Sequence, residues 1–265
     1  SKGFSVPETQ YHLNRRNLPV FLPDNPFAIV LFTPWIYGIF SIIMALLEIT
    51  HLKKIYRSPD NQIHTVLDVP EFSMQAKEQV GLCGRSGTGK TTFLHLIAGI
   101  LTANEGQIKL DGQDIQSMRE SERDRVRAFR IGYLVQTFNL LQGYTCLENV
   151  LLGMSFGPGS DRAYATELLQ KVGMEDRLHH CPRQLSTGQQ QRIAVARALA
   201  NRPKLVLADE PTGNLDRQHA MTALQLIREV CKANGAALLL VSHDRHILKS
   251  FDHCWDLATI NKASK

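Results

Sequence analysis

The sequence lacks paired cysteines, internal repeats, low-complexity segments and long runs of one charge. Its five cysteines are odd in number and widely spaced, without a C-x-x-C pair, which argues against a disulfide framework and against a zinc site. This usage is typical of a reducing, cytosolic compartment. The net charge is +5, yet no five like charges are consecutive, so we do not expect a nucleic-acid-binding arm.

The length of 265 residues allows one substantial core or at most two small ones. Short apolar runs alternate with helical patterns, which predicts a layered α/β domain with a largely parallel sheet. The charged stretch 117–130 is expected to be a helix with a solvated face. The predicted strands are Leu46–Leu52, Gln79–Cys83, Ile131–Gln136, Lys204–Ala208 and Ala237–Ser242, and the predicted helices are Lys90–Ala98, Ser160–Val172, Ser186–Ala200 and Ala220–Ala233.

An uncharged apolar run, Phe27–Leu47, lies near the N-terminus and is long enough to cross a bilayer. A membrane anchor is one interpretation, whereas a secretory signal would have a shorter apolar segment. We favour a third interpretation, in which Met44 is the natural start, because Pro34 interrupts the run and no linker separates it from the first predicted strand. The expected organisation is an extension at residues 1–43 and one domain at residues 44–265.

The stretch "VGLCGRSGTGKTT" carries a glycine, four residues, then glycine, lysine and threonine, between a predicted strand and a predicted helix. Glycines let successive backbone N–H groups form an anion-binding nest, and the following helix adds its positive end. Lys90 is expected to reach the β and γ phosphates, and the Thr91 hydroxyl suits Mg²⁺. The predicted nucleotide-binding residues of this loop are Gly84, Arg85, Ser86, Gly87, Thr88, Gly89, Lys90, Thr91 and Thr92.

Polar side chains also follow three other apolar strands, where ligands gather in open α/β sheets. Asp209 and Glu210 end one strand, and adjacent strand residues point to opposite faces. We therefore assign Asp209 to the metal and Glu210 to the attacking water. His243, at the end of "ALLLVSH", is expected to contact the γ-phosphate, and Gln136, at the end of "IGYLVQ", to contact Mg²⁺ and water.

Six motifs, taken in their order along the chain, resemble those of an ABC-transporter nucleotide-binding domain. They are the phosphate loop, Gln136, "LSTGQ", "LVLADE", "NLD" and His243. The resemblance covers Leu46–Leu257. It is strongest to the group of lipoprotein-release, macrolide-export and cell-division ATPases. It implies a P-loop NTPase of the α/β class, with a RecA-like core, an antiparallel β subdomain and an inserted α-helical subdomain. It also implies ATP and Mg²⁺ as cofactors, and two domains that sandwich two ATP molecules head to tail.

The resemblance assigns further residues to the nucleotide. Tyr56 matches the aromatic residue that stacks on adenine, and Asp216 matches a loop that communicates across the dimer. Ser186, Gly188 and Gln189 match the segment that faces the ATP of the other copy; Ser186 and Gln189 have capping-box spacing, and a helix start suits a phosphate. Thr187 departs from the family, which has glycine there, but the first helical position needs no glycine, so we expect activity to survive.

These features predict an ATPase subunit that powers a separate membrane permease or envelope complex through ATP-driven dimerisation. It would form a homodimer or pair with a paralogous ATPase, lie peripherally on the cytoplasmic face of the inner membrane, and not bind nucleic acid. Phe138, Leu140 and Leu141, in the loop after Gln136, look exposed and are predicted to contact the permease. The alternative is a soluble P-loop ATPase acting on nucleic acid or ribosomes, although such proteins usually show tandem domains or a long coiled coil. A truncated half-transporter is a third hypothesis if Phe27–Leu47 is an anchor.

Overall fold

The computed structural model describes residues 45–264, apart from the side chains of residues 217 and 264. The predicted extension at residues 1–43, which holds most of the apolar run, lies outside the described residues. The domain belongs to one compact unit, Met44–Lys265. Within the described part of the chain, no helix is both long and apolar enough to cross a membrane.

A parallel five-stranded sheet forms the centre of the domain, with the strand order β6-β7-β8-β3-β9. Its central strands β7 and β8 consist mainly of buried leucine, valine and alanine, as expected for strands covered on both faces. All five strands run in one direction, so their carboxyl ends meet at one edge. The strands are β3 Gln79–Cys83, β6 Ile131–Val135, β7 Leu205–Asp209, β8 Ala237–Ser242 and β9 His253–Asp256.

An antiparallel four-stranded sheet, with the order β2-β1-β4-β5, covers one side of this core. Leu47 and Ile49 of its first strand are fully buried, whereas Glu48 between them is less so, which is the alternation expected when one face of a sheet packs on a core. Its strands are β1 Leu47–Arg57, β2 Ile63–Met74, β4 Glu105–Leu110 and β5 Gln113–Asp114.

The helices surround the parallel sheet, and two of them, α3 and α4, pack with α5 as a separate helical subdomain. In the described chain the helices are α1 Lys90–Ile97, α2 Glu120–Arg130, α3 Cys146–Ser155, α4 Arg162–Lys171, α5 Thr187–Ala198, α6 Arg217–Ala233, α7 Arg245–Leu248 and α8 Leu257–Ile260, with short 3-10 helices at Glu175–Arg177, Pro182–Gln184 and Lys262–Ser264.

Strand alternation divides the buried side chains into two cores. Leu205 and Leu207 of β7 join the core beneath α1 and the antiparallel sheet. Val206 and Ala208 point to the other face and join the core with α6 and the helical subdomain. Because side chains alternate along each strand, the same sheet supports both layers.

The five predicted strands and four predicted helices are present, with small shifts at their ends. Stretch 117–130 is also helical, and its helix α2 buries only Val126. The prediction missed strands β2, β4, β5 and β9 and helices α3, α7 and α8. A capping box of Thr145 and Glu148 begins α3, and this T-x-x-E spacing was a readable signal.

The predicted exposure of the loop after Gln136 is wrong for two of its three residues. Phe138 and Leu140 are each only 7% exposed, because they pack into the core beside the helical subdomain, whereas Leu141 is 41% exposed. The fully buried side chain of Asn149 bonds to the backbone of this loop, which holds it inward.

Candidate nucleotide-binding site

The phosphate loop connects β3 to α1 at the carboxyl edge of the parallel sheet. Gly87 and Gly89 have positive φ angles of 79° and 93°, a region that glycine enters without strain. A Cβ on Gly84 would lie 2.8 Å from the Thr88 hydroxyl oxygen, so the loop is closed too tightly for a side chain there. The chain therefore curls around a space bordered by backbone N–H groups at the positive end of α1.

A cavity of about 810 Å³ opens beside this loop. Arg85, Ser86 and Thr88 of the loop line it, and His243 lines it from the end of β8. The cavity volume and its polar lining suit a phosphorylated ligand of nucleotide size.

Lys90 lies at the centre of the site and is only 8% exposed. Its ammonium Nζ donates to the carbonyl oxygens of Gly84 at 2.9 Å and Arg85 at 3.0 Å, and lies 3.5 Å from Oε1 of Glu210. These partners hold the cation at the mouth of the loop. An incoming phosphate would compete for it, and would thereby release Glu210.

Glu210 is held in a strained position, since its φ angle is 47° although it is not glycine. Such backbone costs about 1–3 kcal/mol and persists where neighbours enforce it. Here its N–H donates to the Val241 carbonyl at 3.0 Å, and its Oε2 lies 2.9 Å from Nδ1 of His243. The backbone N–H of His243 also donates to that oxygen at 3.2 Å. The carboxylate is therefore aimed at the same edge as Lys90 and His243.

Asp209 ends β7 one residue earlier and points to the opposite face. Burial raises the pKa of its carboxyl group, and hydrogen bonding with the Thr91 hydroxyl opposes that rise. Its Oδ1 is buried and has no hydrogen-bond partner among residues 45–264. The free carboxylate oxygen of Asp209 and the hydroxyl of Thr91 are suitable ligands for Mg²⁺. This ion usually binds one or two carboxylates together with substrate phosphates.

Gln136 reaches a different part of the site. Its Nε2 donates to Oδ1 of Asn214 at 3.4 Å, and Nδ2 of Asn214 returns a bond to the Gln136 carbonyl at 3.0 Å. The structure thus joins Gln136 to the "NLD" segment, and its contact with Mg²⁺ stays a prediction. Asp216 in that segment caps helix α6 and accepts from the N–H groups of residues 218 and 219.

Helix α5 begins as the capping-box spacing predicts. Oγ of Ser186 accepts from the Gln189 N–H at 3.3 Å, and Oε1 of Gln189 accepts from the Ser186 N–H at 3.0 Å. Thr187 is the first helical residue and is not among those with positive φ. Apart from its chain neighbours and the backbone of its own helix, no heavy atom of the described residues lies within 4 Å of where a Cβ on Gly188 would be.

Tyr56 lies near the end of β1 and is 42% exposed. The Lys54 ammonium lies 5.2 Å from the centre of its ring. The aromatic ring is therefore accessible for stacking, and its contact with adenine remains a prediction.

Two supporting residues were not predicted. Asn214 orients Gln136, and its place within "NLD" was the available signal. Gln191 is 3% exposed and its Nε2 donates to the Pro211 carbonyl at 2.8 Å, which ties α5 to the loop after Glu210. A glutamine on a helix carries no local signal of such a contact, because the partner lies elsewhere in the chain.

Comparison with known proteins agrees with this geometry. The family model described as "ABC transporter" matches residues 67–213. The lipoprotein-releasing system ATP-binding protein LolD of Psychrobacter arcticus is 40% identical over 209 residues, covering 77% of this chain and 91% of that protein. The LolD protein of Shewanella frigidimarina is 38% identical over 213 residues, with 78% and 88% covered.

Solved structures show the same architecture. The dimeric ATP-binding cassette MJ0796, in a post-hydrolysis state with ADP and Pi, superposes with a TM-score of 0.72 at 31% identity, covering 82% of this chain and 95% of that one. The ADP form of the cassette MJ1267 has a TM-score of 0.68 at 24% identity, covering 80% and 87%, and supports the fold alone.

These matches place the α/β domain among P-loop NTPases with a RecA-like parallel core, an antiparallel β subdomain and an α-helical subdomain. They favour the transporter subunit over a soluble ATPase acting on nucleic acid or ribosomes. The chain belongs to the ABC transporter family, as an ATP-binding subunit that hydrolyses ATP to power transport.

Proposed function

We propose that this subunit binds ATP with Mg²⁺ between two copies of itself and drives a membrane permease of the lipoprotein-releasing type. The observation that carries the proposal is the convergence of Lys90, Glu210 and His243 beside the phosphate loop. Asp209 lies at the same sheet edge and bonds with Thr91. The relatives named above are lipoprotein-releasing ATP-binding proteins, which is what suggests the cargo.

The nucleotide contacts follow from the positions of the residues. The loop Gly84–Thr92 cradles the phosphates with its backbone N–H groups, and Tyr56 stacks on the adenine. Thr91 and Asp209 hold Mg²⁺, with Gln136 beside them. When bound, Mg²⁺ neutralises charge that develops between the β and γ phosphates.

Hydrolysis requires Glu210 to become free. Lys90 turns from the Gly84 and Arg85 carbonyls and from Glu210 toward the phosphates, since a phosphate offers more negative charge than a carbonyl oxygen. Glu210 then polarises a water molecule for attack on the γ-phosphate. His243 holds the Glu210 carboxylate in place and contacts the γ-phosphate from the end of β8.

One copy leaves the γ-phosphate open to water, so a second surface is needed to close the site. We assign this surface to Ser186, Gly188 and Gln189 of the other copy, where the free N–H groups of a helix start face outward. Asp216, at the start of α6, lies six residues after Glu210 in the sequence. We assign it to the contact through which dimer closure affects the site. ATP favours the closed dimer because it binds that state better.

The subunit, with its proposed domain at residues 44–265, would lie peripherally at the cytoplasmic face of the inner membrane, bound to an integral membrane permease. Its contact surface is better placed in a groove of about 810 Å³ between α2, β6 and α3 than on the buried loop residues. Phe129, Leu152 and Phe156 give the groove apolar walls, and Arg125 and Arg197 border it with positive charge. A short amphipathic helix with acidic residues suits such a groove.

The experiment that tests the hydrolytic assignment compares the purified chain with Glu210→Gln. We expect ATP turnover to fall by at least about 100-fold, because the general base is lost. ATP-dependent dimerisation, measured by light scattering, should persist or increase. The matched control Glu229→Gln alters an exposed carboxylate on α6 and should turn over ATP like the parent. Turnover at the parental rate in Glu210→Gln would show that the water is activated elsewhere.

A further inference from the structure

Among the buried polar atoms without a hydrogen-bond partner in the described chain, two lie on the neighbouring strands β6 and β7. They are the hydroxyl oxygen of Tyr133 and Oδ1 of Asp209. One belongs to a donor and the other to an acceptor. A buried polar group without a hydrogen bond costs about 1–3 kcal/mol, so two complementary ones on neighbouring strands require an explanation.

Strand register brings these two side chains to the same face. Tyr133 of β6 is opposite Leu207 of β7, and Val135 is opposite Asp209. Residues two apart on a strand share a face, so Tyr133 and Asp209 are diagonal neighbours. Parallel strands lie about 4.8 Å apart and rise about 3.3 Å per residue, so the two Cα atoms are about 8 Å apart, within reach of a tyrosine side chain.

Helix α1 places two further polar side chains beside them. Thr91 and His95 are four residues apart and share one side of the helix. Thr91 hydrogen-bonds with the Asp209 carboxylate, and the His95 ring lies 6.0 Å from the Tyr133 ring, tilted by 41°. The order along this face is therefore Thr91, Asp209, then Tyr133 and His95.

The hydroxyl of Tyr133 is not explained by packing, since a phenylalanine would fill the same space without burying an unpaired oxygen. Electrostatics connects it to Asp209. Burial raises the pKa of the Tyr133 hydroxyl, and the nearby negative charge of Asp209 raises it further. His95 in turn lowers the pKa of Asp209 against the larger effect of burial, so its ring is also close enough to act on that carboxylate.

We infer that Tyr133 is a positioning residue for the metal ligand Asp209, with His95 packed against its ring to hold it in place. Its hydroxyl donates to Oδ1 of Asp209 in the Mg²⁺-nucleotide state, which directs the other carboxylate oxygen and the Thr91 hydroxyl to the metal. The inference rests on the proposed role of Asp209 in the function above. Partners of this kind orient metal ligands, and their loss commonly lowers metal affinity 10–100-fold.

The test uses Tyr133→Phe, which removes only the hydroxyl, in the full chain with a non-hydrolysable ATP analogue. Thermal unfolding would be followed at saturating analogue during titration with Mg²⁺, and in parallel with EDTA. Binding of Mn²⁺ would be measured by electron paramagnetic resonance. We expect metal affinity to fall about 10-fold while stabilisation by the analogue in EDTA stays at the parental value.

The matched control is Tyr164→Phe, which removes a tyrosine hydroxyl bonded to Asn234 at 3.0 Å in the helical subdomain. It should leave metal affinity unchanged. If Tyr133→Phe binds metal as tightly as the parent, the inference is overturned. It is also overturned if the variant loses analogue binding equally with and without metal, because Tyr133 would then only support the fold. If the parent itself shows no metal-dependent stabilisation, the proposed metal site at Asp209 is wrong and the inference falls with it.

Discussion

At the scale of single residues, the site is defined by groups that the fold holds in unfavourable states. Glu210 has a positive φ angle, Asp209 has a buried carboxylate, and Lys90 is almost fully enclosed. Each of these costs stability in the isolated chain. The costs at Asp209 and Lys90 fall when a cation and a phosphate arrive, since these supply opposite charge, whereas the backbone strain at Glu210 remains.

Gly188 gives the first prediction at this scale. Nothing in the described chain requires glycine there, because a Cβ would meet open space, and glycine within a helix costs about 0.5–1 kcal/mol relative to alanine. Gly188→Ala should therefore stabilise the nucleotide-free chain by about that amount in denaturant unfolding, yet weaken ATP-driven dimerisation.

The comparison is made in a Glu210→Gln background, so that ATP is retained during light scattering. Gly188→Asp should abolish the ATP-dependent dimer, because a carboxylate would face the phosphate of the other copy. Thr187→Gly is the matched control and should be tolerated. If both Gly188 variants dimerise like the parent, the segment is only a helix start.

Asp209 gives the second prediction. Burial raises its pKa, so the ionised carboxylate is less stable in the folded chain than in the unfolded one, and stability is lost as the pH rises from the unfolded-state pKa through the folded-state pKa. Asp209→Asn should therefore raise the unfolding midpoint of the nucleotide-free chain at neutral pH. The difference should shrink on acidification, as the parent becomes protonated.

The same variant should lose Mg²⁺-dependent stabilisation by an ATP analogue, since the metal loses its charged ligand. Asp176→Asn, at an exposed position, is the control and should change neither measurement. A lower midpoint in Asp209→Asn without nucleotide would contradict the assigned cause of the pKa shift.

At the scale of elements, helix α5 connects the parts of the domain. Its Gln191 bonds the loop after Glu210, and its Arg197 donates to the carbonyls of Phe138 at 2.6 Å and Asn139 at 2.7 Å. Phe138 and Asn139 both have positive φ angles, so Arg197 holds a strained turn in place. Movement of α5 would therefore act on the loops that follow β6 and β7 together.

Asn149 of helix α3 supports the part of this loop that follows the turn, at residues 141–145. Its Oδ1 accepts from the Leu141 N–H at 2.9 Å, and its Nδ2 donates to the carbonyls of residues 141, 144 and 145. Asn149→Ala leaves buried backbone groups unpaired and should destabilise the chain by about 3 kcal/mol in denaturant unfolding. Gln170→Ala, which shortens an exposed amide on α4, should stay within about 0.5 kcal/mol of the parent. A loss below about 1 kcal/mol for Asn149→Ala would show that the loop does not depend on these bonds.

At the scale of the whole molecule, the proposed function depends on two surfaces, one for the second copy and one for the permease. Solved cassettes with the same fold are dimeric. The groove at Phe129 and Phe156 lies between α2, β6 and α3, and Arg197 of α5 also lines it. The proposed permease contact therefore adjoins the turn held by Arg197, which links it physically to the site.

Phe156 tests this surface, since it is 71% exposed beside the groove. Phe156→Asp should abolish co-purification with a co-expressed permease, because a carboxylate would be buried in an apolar contact. ATP turnover by the free subunit should remain at the parental value. Ile100→Asp, which changes another exposed apolar residue at 49% exposure, is the control for general surface effects. Retention of the permease by Phe156→Asp would place the contact elsewhere.

Much of the candidate site was predictable because its signals are local. The glycine spacing of Gly84–Thr91, the capping box at Ser186 and the carboxylates that end β7 each depend on a few neighbouring residues. Helix α3 was missed although its capping box is a local signal, whereas other misses depend on distant partners. Strand β2 is rich in polar residues and is held by pairing with β1, while Phe138 and Leu140 are buried because Asn149 and Arg197 draw their loop inward.

The sequence by itself determined which groups are available for the proposed chemistry: a glycine-rich phosphate loop, two carboxylates that follow one strand and a capped helix start. These are set by residue type and spacing within single segments, where backbone geometry leaves little freedom. The tertiary structure alone decided that Lys90 pairs with Glu210, that Tyr133 lies diagonal to Asp209, and that Gly188 faces open space. Such relations depend on strand register and on packing between residues far apart in the chain, which no local pattern encodes.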